Sequence, residues 1–400
     1  MAKRIYVGVG NTARRVKKAY VGINGLARRI KKAYIGVGGV ARPCFATEPE
    51  YWGETSQPLS VARSVPHGSS IGNYALFGGG YISNSSGYVT SFKTVDVYDD
   101  KLTAVSGVEL SQKNMHHSAI SNNNYAFFYK GGNVGREGKG DTWTFIYSID
   151  VFDKSLTKTT IDDSGNTAAW SVSSVSLGGY ALFAGGFMRS ASGSYDVSAA
   201  VYAYNESLTK TSLESMDDTK YASISVTVGN YALFIGGSKY YPAHGGYIGN
   251  INDIQVYNSS LTKVSVTFSN TWNTENLYDG AATAGNYAVS SATTAISKSL
   301  TYQNISSPFT ESHGGTCISL DGYALHAKGY KYSNSRNNYT GEVEIMNPSL
   351  TKTTGKSLRY PRDSFAGINV GDYVLFAGGT EFGTGTGITT FFDTVEAYVI

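Results

Sequence analysis

The sequence predicts an all-β fold built from seven repeated four-stranded sheets. The first observation is a phrase that recurs seven times, from Gly72-Asn-Tyr-Ala-Leu-Phe-Gly-Gly-Gly80 to Gly371-Asp-Tyr-Val-Leu-Phe-Ala-Gly-Gly379, at steps of 36 to 56 residues. The second is a phrase that follows most copies, first seen as Val95-Asp-Val-Tyr-Asp99 with Leu102-Thr103. Both are rich in aromatic and β-branched residues and bounded by Gly, Asn and Ser, which is typical of strands.

Each repeat supplies four strands. The first is a run of small residues such as Tyr221-Ala-Ser-Ile-Ser-Val-Thr-Val228, and the two phrases give the second and third. The fourth follows Leu-Thr-Lys. Four-stranded units at intervals of about 40–50 residues predict a β-propeller with seven kelch-like blades, whose small first strands suit a crowded central channel. A solenoid is the structural alternative, which units of this length and strand number disfavour.

The seventh blade lacks a fourth strand of its own. The sequence stops at Val395-Glu-Ala-Tyr-Val-Ile400, where the third strand is expected. We therefore expect residues 46–400 to form the propeller and the stretch near 50–58, around Tyr51-Trp52, to supply the missing strand. Closing the ring in this way removes unpaired sheet edges.

Residues 1–45 carry a different repeat, with a step of 14 residues. Its copies start at Tyr6, Tyr20 and Tyr34, and each contains a pair of turn-forming residues such as Asn24-Gly25. The pattern predicts three β-hairpins, which are too small to form a stable core by themselves. We therefore expect this segment to be a hairpin-repeat docking arm.

The charge of the arm indicates what it docks on. Residues 1–45 hold 11 Lys and Arg and no acidic residue, which leaves 22 basic and 30 acidic residues in the remainder of a chain whose net charge is +3. Basic arms bind acidic protein surfaces or nucleic acid. A protein partner is the favoured interpretation, and nucleic acid and a solvated tail are the alternatives. The docking candidates are Tyr6, Arg14, Arg15, Tyr20, Arg28, Arg29, Tyr34 and Arg42.

Composition limits the other possibilities. No apolar run approaches the roughly 20 residues that span a bilayer, and the glycine-broken start is a poor secretory signal. Cys44 and Cys317 give neither a disulfide framework nor metal-ligand spacing. We expect no membrane segment, metal or cofactor. The 31 tyrosines and the low share of charged residues, 16%, suit a surface made for contact.

The two repeats together resemble known proteins. The Gly-Asn-Tyr-Ala-Leu-Phe-Gly-Gly-Gly and Val-Asp-Val-Tyr-Asp phrases resemble kelch-like repeat proteins that bacteriophages and prophages of Gram-positive bacteria encode. The Lys-Lys-Ala-Tyr-Val-Gly-Ile-Asn-Gly-Leu-Ala-Arg-Arg-Ile-Lys-Lys arm is similar to an N-terminal repeat on structural proteins of the same phages. The resemblance covers almost the whole chain and implies a virion component, made in the host cytoplasm and present in several copies or as a homo-oligomer.

The resemblance has departures. Kelch blades usually place a tryptophan after the third strand, where this chain has Leu-Thr-Lys. The fifth repeat, Tyr287-Ala-Val-Ser-Ser291, loses its diglycine and its long loop, and the sixth has Ala327-Lys-Gly329. Function therefore has to be argued from the surface rather than from the fold.

Catalytic signals are weak, and we expect no enzyme. Apart from one adjacent pair, the histidines fall in separate repeats without ligand spacing; they are His67, His116, His117, His244, His313 and His326. Asp162-Asp-Ser-Gly165 is similar to the Asp-box turn of sialidases but occurs once. No pair of carboxylates suggests an acid and a base. A glycan-cleaving enzyme on a propeller scaffold is kept as an alternative.

The connections between second and third strands are the candidate binding loops, because they emerge on the same face as the connections between blades. They are long and rich in aromatic residues, and loops on a rigid scaffold usually carry binding. The candidates for contact with a ligand or receptor are Tyr81, Tyr88, Trp143, Tyr195, Tyr240, Tyr241, His244, Tyr247, Tyr330, Tyr332, Tyr339 and Phe382. The structural alternative is that these rings only pack the loops onto the blades.

The combined expectation is a virion structural protein. Its arm anchors it to other virion proteins of the tail, baseplate or capsid, and its propeller binds a glycan or protein on the host surface. A capsid decoration or head fibre is the first alternative, the glycan-active enzyme the second, and a purely architectural spacer the third.

Overall fold

The structure is a computed structural model, and it describes residues 6–9, 12–15, 19–23, 26–30, 32–37, 40–46, 48–84, 88–135, 142–163, 169–189, 195–241, 246–250, 253–266, 280–333, 336–382 and 389–400. Seven antiparallel sheets follow one another along the chain; six have four strands, and in the first blade a fifth strand, Tyr81–Ser83, pairs with the start of Val89–Asp99. The first strand of each sheet lies beside the first strands of its two neighbours, so that the seven form a ring. The predicted all-β, seven-bladed β-propeller is therefore confirmed.

Strands at the same position in the seven blades are equivalent. The first strands, at the centre, are His67–Ile71, Ser118–Ser121, Ser173–Leu177, Ile224–Val228, Ala282–Ala284, Thr316–Leu320 and Ala366–Val370. The second are Tyr74–Gly78, Ala126–Tyr129, Tyr180–Ala184, Tyr231–Ile235, Tyr287–Val289, Tyr323–Ala327 and Tyr373–Ala377. The third are Val89–Asp99, Ser148–Phe152, Val201–Tyr204, Ile254–Asn258, Thr294–Ser297, Val343–Met346 and Val395–Val399. The fourth are Ala104–Asn114, Lys158–Asp162, Lys210–Ser212, Lys263–Val264, Tyr302–Asn304, Lys352–Thr354 and Glu50–Glu54.

The seventh blade takes its outer strand from the other end of the propeller sequence. Glu50–Glu54 runs antiparallel to Val395–Val399, and it lies within the segment 50–58 that the sequence suggests for this role. The Tyr51 hydroxyl donates a hydrogen bond to Glu396 Oε2 at 2.8 Å. The ring of Tyr51 meets that of Tyr398 edge to face, 5.7 Å between centroids. The closing strand is thus held by side chains as well as by its backbone ladder.

Seven apolar clusters fill the seven spaces between neighbouring blades. Between blades 2 and 3, for example, the ring of Tyr129 stacks on that of Phe183 with 3.9 Å between centroids. The inner strands add hydrogen bonds across the same spaces. Ser225 Oγ donates to Ser174 O at 2.6 Å, and Thr283 Oγ1 donates to Thr227 O at 2.6 Å. Small hydroxyl residues on the inner strands therefore both fit the narrow centre and tie the blades together.

The turn between third and fourth strands is the same in six blades, and a leucine ends it in the left-handed region. In blade 2, Asp153 Oδ1 accepts hydrogen bonds from the backbone NH groups of Ser155 and Thr157 at 2.8 and 2.9 Å. This side chain fixes the turn, as Asp and Asn commonly do. The leucines have φ between 58° and 65°; they are Leu102, Leu156, Leu208, Leu261, Leu300 and Leu350.

Each of these leucines packs into the cluster that its blade shares with the preceding blade. The left-handed conformation costs a non-glycine residue roughly 1–2 kcal/mol. Full burial of a leucine side chain returns about 1.5–3 kcal/mol; Leu102 is buried, and the other five are partly buried. The Leu-Thr-Lys phrase, which departs from the kelch tryptophan pattern, is therefore a packing element between blades.

N-terminal to the propeller, three pairs of strands are antiparallel. They are Tyr6–Val9 with Thr12–Arg15, Ala19–Ile23 with Leu26–Ile30, and Lys32–Val37 with Val40–Ala46. The predicted turn pairs Gly10-Asn11, Asn24-Gly25 and Gly38-Gly39 lie outside the described residues. Throughout the described part of the chain, no helix has the length and apolar character to cross a membrane.

Candidate binding face

Hairpins project from one face of the propeller. Between second and third strands, six blades carry an additional short strand pair, and only blade 5 joins them through the short stretch 290–293. The described strands of these hairpins are Tyr81–Ser83, Gly132–Gly135 with Thr142–Phe145, Phe187–Arg189 with Tyr195–Val197, Ser238–Tyr241 with Gly246–Asn250, Tyr330–Ser333 with Arg336–Tyr339, and Thr380–Phe382 with Thr389–Phe391. The expected loss of the long loop in the fifth repeat is confirmed.

The diglycine of the repeat creates the bend at which a hairpin leaves its blade. Gly79 and Gly80 have φ of 63° and 92°. A Cβ atom on Gly79 would lie 2.5 Å from Asn114 O, and one on Gly80 would lie 2.6 Å from Ser64 O. Only glycine combines this conformation with such a close backbone approach. The bend lets Tyr81 pair with Ser64 in the connecting segment of the same blade, so hairpins and connections share one face.

The described aromatic candidates fall into two groups. Tyr88 and Phe382 are 47% and 51% exposed, which is unusual for rings of this size. Tyr330 is half-buried, and its ring contacts those of His313 and Tyr339 at 5.3 and 5.7 Å between centroids. Tyr81 is also half-buried, and burial raises the pKa of its hydroxyl. The first group is available for contact, whereas the second also packs the hairpins onto the face.

The backbone places most other candidates in the hairpins. They are Trp143, Tyr195, Tyr240, Tyr241, Tyr247 and Tyr332. Tyr240 and Tyr247 are register partners across the blade 4 hairpin. His244, and with it that part of the prediction, lies outside the described residues. The arm candidates lie on the N-terminal strand pairs; they are Tyr6, Arg14, Arg15, Tyr20, Arg28, Arg29, Tyr34 and Arg42.

A cavity of about 740 Å³ opens at the centre of the ring. Most of its wall consists of the first residues of the inner strands and the residues just before them, contributed by six blades, and Gly237 and Ser238 at the start of the blade 4 hairpin complete it. Inner strands begin on the face from which the hairpins project, so the cavity and the hairpins belong to the same surface. We call this surface, made of the six hairpins and the central cavity, the hairpin face.

Backbone hydrogen bonds between successive blades shape the rim of the cavity. Ala222 N donates to Ser171 O at 3.0 Å, and Ser171 N donates to His116 O at 3.3 Å. His116, Ser171 and Ala222 all have positive φ, between 49° and 55°. Repetition of one strained conformation on consecutive blades indicates that the ring of contacts maintains it, as strained residues generally require.

Three histidines lie on one side of the cavity, at the boundary of blades 1 and 2. Burial lowers the pKa of His67 to about 3, with a further lowering by His116. Burial also lowers the pKa of His116, and that of His117 well below its ordinary value. The His116 ring lies between those of Tyr81 and Trp170, at 6.1 and 6.2 Å between centroids. The lowered pKa values favour neutral imidazoles at all three positions near pH 7.

Sequence reasoning treated these histidines as separate strand-end or loop residues, and it did not identify the cavity. His67 and Ser118 occupy the same place in their repeats, the start of the inner strand. In a propeller, the starts of the inner strands surround one mouth of the central channel. Aligning the repeats residue by residue could therefore have predicted that His67 and His117 lie close together. The repeat phrases alone, which concern second and third strands, do not carry this signal.

Two carboxylates, one partly buried and one buried, have structural partners. Asp96 accepts from Arg63 Nη2 at 2.7 Å, and also from the backbone NH of Ser60 at 3.1 Å. Asp163, part of the sequence similar to an Asp-box, lies 2.9 Å from the ammonium groups of both Lys130 and Lys210. Burial opposes ionisation of Asp163, but the hydrogen bonds from these lysines lower its pKa. Asp96 thus binds the connecting segment that contains Ser60 and Arg63, and Asp163 links blade 2 to blade 3 through Lys210.

Within the described residues, no group of three or more His, Cys, Asp or Glu side chains is arranged to hold a metal ion. Cys317 lies at the cavity wall. No protein-family model matches the chain, and no curated protein matches it in sequence. Its assignment as a seven-bladed β-propeller rests on strand pairing and on the contacts between neighbouring blades.

Proposed function

We propose that this chain is a bacteriophage virion structural protein whose propeller binds the host surface through the hairpin face. The observation that carries the proposal is the concentration of hairpins from six blades, with exposed Tyr88 and Phe382, around one central cavity. Rigid scaffolds that gather aromatic residues and adaptable polar residues on one face are typical of binding proteins. In this proposal the blades are kelch-like, with diglycines such as Gly79-Gly80 beginning the hairpins.

The arm is the proposed anchor. Residues 1–45 hold 11 basic and no acidic residues, in contrast to the acidic remainder. Opposite charges steer association between proteins and help fix its orientation. Other virion proteins of the tail or baseplate are the proposed partners, with several copies of this chain on each particle. Attachment to the capsid would instead make the protein a decoration or head fibre.

Binding of the labelled full chain to Gram-positive host cells tests the receptor role. Alanine at Tyr240, Tyr241 and Tyr247 together, or serine at Tyr88 and Phe382, should weaken attachment while the unfolding midpoint stays close to that of the parent chain. Trp52→Ser is the matched control, because Trp52 is 55% exposed but lies on the closing strand. Attachment that is equal in all variants would contradict binding through the hairpins.

Cryo-electron microscopy of the assembled particle tests the anchor. Density for residues 1–45 on the tail or baseplate would support the host-recognition role, and density on the capsid would support the decoration alternative. Absence of the protein from every virion would overturn the proposal. Turnover of a surface polysaccharide by the purified chain would favour the glycan-active enzyme instead.

A further inference from the structure

We propose that the N-terminal arm of this chain binds a second copy of the chain, at a patch on the face opposite the hairpins, with Trp52 as the apolar anchor of the contact. The proposal adds an assembly contact to the proposed function and does not depend on host binding. It is carried by three features: the place where the arm enters the propeller, an exposed tryptophan on a β-bulge, and the opposite charges of the patch and the arm.

Strand direction places the arm on the face opposite the hairpins. The hairpins join second strands to third strands, so the turns from first to second and from third to fourth strands lie on the other face, which we call the turn face. Glu50 pairs with Val399 at the end of the last third strand, and Val399 pairs with Tyr373 at the start of a second strand. Glu50 therefore lies at the turn face, and the chain enters the propeller there.

A β-bulge directs Trp52 outward beside this entry. Tyr51 and Gly53 oppose consecutive residues of the neighbouring strand, so Trp52 between them is the extra residue of the closing strand. Bulges at sheet edges commonly re-aim a side chain. Trp52 is 55% exposed in the single chain, and its ring meets that of Tyr373 edge to face, 5.7 Å between centroids. A tryptophan held in this way on a rigid strand is suited to anchor a protein interface.

The turn face is acidic around the entry. Burial raises the pKa of the Tyr323 hydroxyl, and the charges of Glu48 and Asp321 raise it further, so both carboxylates lie near this tyrosine. A Cβ atom on Gly371 would lie 3.0 Å from the Cβ atom of Asp100, which places the turns of blades 7 and 1 side by side. Acidic residues of blades 6, 7 and 1 are therefore gathered around the point where the arm leaves the propeller.

This sector differs in charge from the rest of the turn face. In the turns of blades 6, 7 and 1, acidic residues outnumber basic ones: they are Asp321, Asp372 and Asp100 against Lys101. In the turns of blades 2–5 the two signs balance: they are Asp153 and Glu206 against Lys154 and Lys298. We define the arm-entry patch by the following residues: Glu48, Glu50, Trp52, Asp100, Asp372 and Tyr373.

The arm has the complementary charge. Residues 1–45 hold 11 basic and no acidic residues, and isolated hairpins need another surface to be stable. Opposite charges favour one partner and one orientation. Because Trp52 is exposed in the single chain, its cover has to come from another molecule, and a second copy offers a basic arm beside an identical patch. Copies whose turn faces meet can exchange arms reciprocally in a closed homo-oligomer. Since the arm repeats its hairpin, one bound hairpin leaves the others for the anchoring partner.

Sedimentation velocity of the full chain tests the contact. Between about 1 and 100 μM protein in about 50 mM NaCl, we expect concentration-dependent self-association, and about 500 mM NaCl should weaken its Kd at least about tenfold because salt screens exposed charges. A chain that is monomeric over this range, as an arm folded onto its own patch would give, would overturn the proposal. So would an oligomer that is insensitive to salt.

A tryptophan variant tests the anchor. Trp52→Ser should weaken the Kd of self-association at least about tenfold, as truncation of a central aromatic residue does at many interfaces. Tyr147→Ser is the matched control, because Tyr147 is 42% exposed but precedes the third strand of blade 2, on the hairpin face. Equal losses in the two variants, or no loss in either, would overturn the assignment of the patch.

A charge exchange identifies the partner as a second copy. Glu48→Lys with Asp372→Lys reverses the patch, and Arg28→Glu with Arg29→Glu reverses part of the arm. Each double variant should self-associate less than the parent chain, whereas a mixture of the two should associate more tightly than either alone, because opposite charges then meet in both directions. A mixture that is no tighter would overturn the proposal. This experiment decides even if Trp52→Ser fails to fold, because Glu48 and Asp372 are exposed and the arginines precede the propeller.

Cell attachment, measured in parallel, distinguishes this inference from the proposed function. Attachment measured at concentrations below the Kd of self-association compares monomers, so Trp52→Ser keeps its role there as a control. Self-association without attachment to cells would contradict host binding and support the contact between copies. Attachment by a chain that is monomeric throughout would overturn the contact and leave host binding intact.

Discussion

The imidazole rings of His67 and His117 lie 4.3 Å apart between centroids, although the first begins the inner strand of blade 1 and the second immediately precedes that of blade 2. His117 is buried and His67 is partly buried, and burial together with the neighbouring histidines lowers both pKa values. The contact between the blades therefore depends on both rings staying neutral.

Acid should weaken the propeller well before its carboxylates titrate. The folded pKa of His67 is about 3, while an unfolded histidine has a pKa of about 6.5. Between these values the unfolded chain binds the additional proton, so stability is complete above pH 6.5 and falls as the pH drops. The loss approaches about 1.4 kcal/mol per pH unit for each such histidine. Urea unfolding between pH 8 and 5 measures it.

Histidine variants provide the control for this pH series. His67→Gln with His117→Gln should flatten the decline of stability below pH 6.5, because glutamine does not titrate. His313→Gln should leave the slope as in the parent chain. An identical slope in all three proteins would show that the acid sensitivity comes from elsewhere.

Glu396 should be critical for closing the ring. Its side chain is fully buried, and it accepts hydrogen bonds from Arg362 Nη2 at 3.1 Å, the backbone NH of Arg359 at 2.6 Å and the Tyr51 hydroxyl at 2.8 Å. Glu396→Gln leaves the Arg362 cation buried without its counter-ion, which typically costs about 3–5 kcal/mol. Tyr51→Phe removes one hydrogen bond to a charged carboxylate and should cost about 1.5–3 kcal/mol. Chemical denaturation of both variants checks the order, and equal losses would contradict it.

Leu102→Asn tests whether packing or backbone strain dominates at the turn leucines. Leu102 is 7% exposed and has φ of 65°. Asparagine relieves the left-handed strain of roughly 1–2 kcal/mol, but it loses the burial and leaves a cavity, together about 2–5 kcal/mol. We expect a net destabilisation of about 1–3 kcal/mol.

Asp321→Gly is the matched control for this prediction. Asp321 also has positive φ, 45°, but it is exposed. Relief of strain without loss of packing should leave stability unchanged or raise it by up to about 1 kcal/mol. Stabilisation by Leu102→Asn would mean that strain, rather than packing between blades, governs the turn.

Gly131→Ala should disturb the wall that supports His117. Gly131 has φ of 114°, and a Cβ atom there would overlap Asn114 Oδ1 and lie 2.9 Å from His117 Cβ. Gly53→Ala is the comparison, because Gly53 has φ of 134° but no atom within 4 Å of the added Cβ. Backbone strain of about 1–3 kcal/mol is common to both variants, whereas only Gly131→Ala adds a clash. The difference between their unfolding midpoints measures that clash, and no difference would contradict the close packing.

The sequence predicts the architecture well because the repeat phrases lie on the second and third strands, where apolar patterning is strongest. The closing segment near Tyr51 and the short loop after Val289 follow from counting strands in each repeat. The cavity does not follow, because His67 and His117 meet only after the blades form a ring. Nor does the conformation of Leu102, since left-handed φ is uncommon for leucine and depends on packing against the preceding blade.

The closing strand also bears on how the propeller folds and on how it responds to mechanical force. Tyr51 and Glu396 are separated by 345 residues along the chain, so the last interface forms only after almost the whole propeller is available. Until then the faces of blades 1 and 7, with Phe77 and Leu375, remain uncovered. A force applied to the chain N-terminal to Glu50 is transmitted to the propeller through the five residues of the closing strand, Glu50–Glu54. We therefore expect pulling on this end of the chain to open the propeller first between Glu50–Glu54 and Val395–Val399.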